Sequence, residues 1–109
     1  MRQWTKIMND GYKEALEEIA KVKENRLARI SLDGLELKIL PPELFELTWL
    51  KILWIPNNNL THLPPEIGKL TEMFELWLDD YLLLNMPNEI KLTKLKMIYL
   101  NKRPLGAKD

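Results

Sequence analysis

One unit of this chain recurs at a spacing of about 23 residues, and a period of that length forces the units to stack on one another. With Leu50 as column 1, columns 1, 4, 6, 11, 14, 18 and 21 hold Leu50, Leu53, Ile55, Leu60, Leu63, Ile67 and Leu70. One period earlier they hold Leu27, Ile30, Leu32, Leu37, Leu40, Leu44 and Leu47. One period later they hold Met73, Leu76, Leu78, Leu83, Met86, Ile90 and, after a one-residue deletion, Leu92. A truncated fourth unit starts at Leu95, with Ile98 and Leu100 in columns 4 and 6 and Leu105 near column 11. A unit of this kind cannot bury its apolar side alone, so neighbouring units share one continuous core.

The columns also assign local structure. Columns 3 to 5 predict a short strand in each unit, paired in parallel with the next at about 4.8 Å. Pro41, Pro64 and Pro87 follow column 14, where a fixed backbone dihedral turns the chain and no ladder hydrogen bond is lost. Asn58 in column 9 carries an amide able to satisfy buried backbone groups at the bend. The same column holds Leu35, Tyr81 and Arg103 in the other units, and Tyr81 predicts an irregular bend. Leu82 and Leu84 stand in columns 10 and 12, which are normally polar, so they either expose apolar surface or are turned inward by that bend.

The segments Leu40-Pro41-Pro42-Glu43-Leu44 and Leu63-Pro64-Pro65-Glu66-Ile67 resemble the Ras-suppressor class of intracellular leucine-rich repeats. The lead-in from Leu32 to Leu37 is similar to the opening of bacterial repeat domains, including those attached to Roco GTPases. The resemblance covers residues 27 to 105. It implies a short α/β leucine-rich repeat solenoid of about three and a half repeats, with a parallel concave sheet. It also implies a protein or peptide partner on that face, often a GTPase or its regulator in this class. Length is the departure, since three and a half repeats are few for that work.

Residues 10 to 25 predict the cap of this solenoid, an amphipathic helix. Tyr12, Ala15, Leu16, Ile19 and Val22 recur at helical spacing, with Lys and Glu opposite. Asp10 reads as the N-cap, Asn25 as the stop and Glu17–Lys21 as an i,i+4 pair. The chain thus divides into a capping segment, 1–26, and repeats with a short tail, 27–109, within one domain. Trp4, Ile7 and Met8 are expected to pack against the cap.

Composition bounds the function. Net charge is zero, which gives no general attraction to nucleic acid or to an anionic membrane. No cysteine is present, so secreted repeat proteins with disulfide-bonded caps are a poor match. No signal peptide or apolar run of about 18 residues occurs, which favours the cytoplasm. His62, the only histidine, falls on an exposed turn. No nucleophile–base pair, metal cluster or phosphate-cradling glycine loop stands out, so neither an enzyme nor a cofactor is expected.

The concave face is the expected binding surface. Its column 5 reads Ser31, Trp54, Trp77 and Tyr99, and its column 3 reads Arg29, Ile52, Glu75 and Met97. Aromatic side chains in register on parallel strands form a ladder, and Trp and Tyr are enriched among interface hot spots. Asp79 joins these as the candidate residue at the strand-to-loop junction. Such ladders also stabilise sheets by about 0.2–1 kcal/mol per cross-strand pair. Four strands give a floor only about 15 Å wide, so a protein partner must also touch the loops.

Those loops carry an electrostatic step. Glu72, Glu75, Asp79, Asp80 and Glu89 are followed by Lys91, Lys94, Lys96, Lys102, Arg103 and Lys108. The last strand is a sheet edge flanked by these basic residues, as gatekeepers flank exposed strands. Three readings are open: a monomer with a protected edge, a homo-oligomer joined at the C-terminal edge, or a segment of a larger signalling scaffold.

Overall fold

The computed structural model describes residues 10–102. The expectations for Trp4, Ile7, Met8, Arg103, Leu105 and Lys108 lie outside them. Helix α1 (Asp10–Asn25) is followed by strands β1 (Arg29–Ser31), β2 (Ile52–Trp54), β3 (Glu75–Asp79) and β4 (Met97–Asn101). The four strands form one parallel sheet in the order β1-β2-β3-β4. Short 3₁₀ segments link them: Pro42–Glu46, Pro65–Lys69, Asp80–Asn85 and Asn88–Leu92. The short leucine-rich repeat solenoid with an N-terminal capping helix is therefore the fold.

The register follows the columns. Arg29 pairs with Ile52, Ile52 with Glu75, and Glu75 with Met97. The core columns of the first two units close almost completely, with Leu32, Leu44, Leu47, Leu50, Leu53, Ile55, Ile67 and Leu70 at 0% exposure. Full burial of each such side chain contributes about 1.5–3 kcal/mol. Leu27 is the exception, exposed where α1 hands over to the first strand. Phe45 is buried as well, filling a place outside the seven columns.

Helix α1 buries Tyr12, Ala15, Ile19 and Val22 against the first repeat, while Leu16 is only partly buried. Asp10 stands in the first turn of its described part. Arg26, not Asn25, takes the left-handed conformation at its end, with φ 52°. The Leu27 N–H donates to Val22 O at 3.0 Å, which closes the helix as a Schellman turn. Glu17 does not pair with Lys21; Glu18 does, one position closer, at 3.7 Å. Gly11 is required where it stands, because a Cβ there would lie 1.8 Å from the Leu35 carbonyl oxygen.

The pattern loosens in the third unit. Leu82 is buried in place of Leu83, which is exposed. The cause is the 3₁₀ turn Asp80–Asn85, which shifts the inward position by one residue. The Tyr81 hydroxyl donates to Leu60 O at 2.7 Å and anchors that turn to the preceding unit. Beyond it Leu92, expected inward, is exposed, and Ile98 and Leu100 are each 40% exposed, against 0% for Leu76 and Leu78 in the same columns. No fifth strand covers them among the described residues.

Candidate functional site: the concave aromatic face

Residues two apart on a strand share a face, so the side chains of columns 3 and 5 rise from the same side of the sheet. Trp54 and Trp77 stack with ring centroids 4.3 Å apart and planes 10° from parallel. Trp77 and Tyr99 stack at 4.1 Å and 16°. The predicted ladder is thus three rungs long, and each rung keeps part of its surface open to solvent.

Column 3 braces the ladder. The Trp77 indole N–H donates to a Glu75 carboxylate oxygen at 2.6 Å, which fixes the ring and spends part of the carboxylate's capacity. The Tyr99 hydroxyl meets the Met97 sulfur at 3.5 Å. Ile52 is half-buried and Met97 exposed, while Arg29 is exposed at the helix end of the row. Seven of the eight candidate residues therefore lie on one accessible face: Arg29, Ile52, Trp54, Glu75, Trp77, Met97 and Tyr99.

Asp79 is the exception. It is 1% exposed, and its carboxylate accepts from the Asn57 backbone N–H at 3.0 Å and the Asn101 amide at 2.8 Å. A carboxylate committed to the loops beneath it supports the face and does not present itself to a partner. Asn101 also donates to Asn57 Oδ1 at 2.8 Å, and Asn57 donates to Asp33 Oδ1 at 2.8 Å. This polar chain ties the strand ends of all four units together and rims a hollow of about 260 Å³ beside Trp77. Asn57 takes part from a left-handed backbone at φ 60°, a conformation Asn tolerates better than most residues. Among the described residues no group of three or more His, Cys, Asp or Glu is gathered as a metal site would require.

A larger cavity, about 600 Å³, opens at the β1 end of the ladder and is lined by Glu18, Leu27, Arg29, Ser31, Asp33 and Trp54 among others. Glu18 and Leu27 belong to no strand column and were missed in the sequence. The one signal was Ser31, a small residue in an otherwise aromatic column. The loop charges are partly spent: Lys94 pairs with Glu72 at 2.9 Å. Compared with models of known protein families and with curated proteins, the sequence matches none.

Proposed function

We propose that this chain is a protein-interaction module that holds a protein or peptide partner on its concave face. The observation that carries this reading is the stacked row Trp54, Trp77 and Tyr99, held by Glu75 and Met97 yet open to solvent. A pre-stacked row loses little side-chain freedom on binding and offers amphipathic area, which is what hot spots share. The resemblance to intracellular leucine-rich repeats adds the partner class, a GTPase or its regulator, and a cytoplasmic setting. Among the described residues no helix is long and apolar enough to cross a membrane. The reading assigns binding and not catalysis, with no cofactor, nucleic acid or membrane as ligand.

The test is affinity capture from the native cell extract with wild type and a Trp54/Trp77/Tyr99 triple alanine variant whose far-UV spectrum is native. Loss of the partner from the variant supports the concave face. Equal capture by both sinks it and moves the site to the loops or the cap.

A second reading has its own observation, the exposure of Ile98 and Leu100 in columns that are core elsewhere. Self-association through the β4 edge would cover them, as sheet edges invite. Sedimentation equilibrium decides: mass that rises with concentration in wild type but not in Leu100→Lys supports self-association, and a strict monomer removes it.

A further inference from the structure

The aromatic row stops one strand short of the sheet. In register, Ser31 on β1 stands beside Trp54 on β2, where the next rung would be. The Ser31 side chain is too short to cover an indole, so among the described residues the Trp54 face turned toward β1 has no ring against it, whereas its other face carries Trp77. The place of the missing rung is not bulk solvent. It is the cavity of about 600 Å³ to which α1 contributes Glu18 and the helix-to-strand connection contributes Leu27. That volume is within the range of about 300–1,000 Å³ usual for ligand pockets.

We infer that this cavity is a specificity pocket for an aromatic side chain of a peptide or protein partner, which stacks on Trp54 above Ser31 and completes the row as a fourth rung. The inference rests on the concave face being the docking surface. Register supports it first: rungs separated by 4.3 and 4.1 Å with planes 10° and 16° apart set the slot that a further planar ring would continue. The lining supports it second. Leu27, Ile52 and the Trp54 face supply apolar walls, and Glu18, Ser31 and Asp33 supply hydrogen-bond acceptors at the same place. A ring with its own N–H or O–H therefore fits better than a bare phenyl, as Trp and Tyr pair an apolar body with a polar edge. The other end of the row differs, because the outer side of Tyr99 lies at the open edge of the sheet, with no strand beyond β4 among the described residues.

N-acetyl-tryptophanamide is the probe, titrated into the full chain and followed by NMR at the Ser31 amide and the Trp54 indole N–H. The expected result is a saturable shift of both signals, with affinity on the order of millimolar for so small a ligand. N-acetyl-leucinamide should bind about two- to tenfold more weakly, the margin an aromatic pair adds beyond area. Ser31→Trp, which builds the fourth rung from the chain itself, should abolish the shift, and Lys13→Ala, on the exposed face of α1 and outside the lining, should leave it intact. Should Ser31→Trp fail to fold, Trp54→Leu serves in its place and should also abolish binding.

Four results would overturn the inference: equal binding of the leucine probe, tighter binding of N-acetyl-argininamide, shifts confined to Tyr99, or probe affinity gained on Trp4→Ala. The last would make the chain's own N-terminal segment the occupant. Failure here stays distinct from failure of the docking surface. A partner captured by Ser31→Trp as well as by wild type, yet lost from the triple alanine variant, removes the pocket and keeps the face.

Discussion

Asn58 does the work of a clamp between the first two repeats. It is 1% exposed, and its Oδ1 accepts from the backbone N–H groups of Leu35 and Leu37 at 3.1 and 3.0 Å. Its amide donates to the carbonyls of Leu32 and Ile55 at 2.9 and 3.1 Å. Asn58→Ala strands several of these groups away from water, and each unsatisfied one costs about 1–3 kcal/mol. A loss of about 3 kcal/mol or more is expected from denaturant midpoints at unchanged slope, and a loss under about 1 kcal/mol would show that water replaces the amide. Tyr12 makes a different prediction. Burial, and secondarily the Glu43 carboxylate, raises its pKa above the ordinary 10.0. The folded chain keeps this proton where the unfolded chain releases it, so stability is untouched below pH 10 and falls as pH rises beyond it. Tyr12→Phe should flatten that alkaline decline in thermal melts taken across the range, and an unchanged slope would assign the decline to other groups.

At the scale of elements, α1 is seated by a missing side chain. Gly11→Ala would gain about 1 kcal/mol in helix propensity but places its Cβ against the Leu35 carbonyl. Overpacking of that kind costs about 1–3 kcal/mol, and against backbone the clash wins. The variant should melt below wild type, while Lys13→Ala on the exposed face should not. The joint after α1 is held as well: the Trp49 indole donates to Leu27 O at 2.9 Å, and Arg26 lies 4.0 Å over its ring. The strands and the cap were legible in the sequence because Leu, Ile and Met at fixed columns report burial directly. Leu82 and Leu83 exchanged roles because the Asp80–Asn85 turn counts residues differently from the Asn58 bend, and composition alone does not encode that count. Asp79 misled for a related reason. Its place at the strand-to-loop junction made it a candidate, but two asparagines from other units cover it, and only three-dimensional neighbours reveal that.

Among the described residues the stack is closed by α1 at one end and has a bare strand, β4, at the other. Units of a solenoid interact mainly with their neighbours, so stability varies along the stack. The first two are joined by Asn58 and covered by α1, whereas among the described residues β4 has a partner strand on one side only. Hydrogen exchange read by mass spectrometry should show β2 amides protected close to the global limit and β4 amides exchanging first. Equal protection of the two strands would mean that the β4 edge is covered in solution, which is the outcome self-association predicts.

The stacked rings have an optical consequence. Two indoles 4.3 Å apart and nearly parallel couple their ultraviolet transitions, so absorbed light is shared between β2 and β3 and not confined to either. Because those rings are contributed by different repeats, the shared signal exists only while the repeats are stacked. The chain thus carries its own gauge of whether the solenoid is assembled, readable without any added dye.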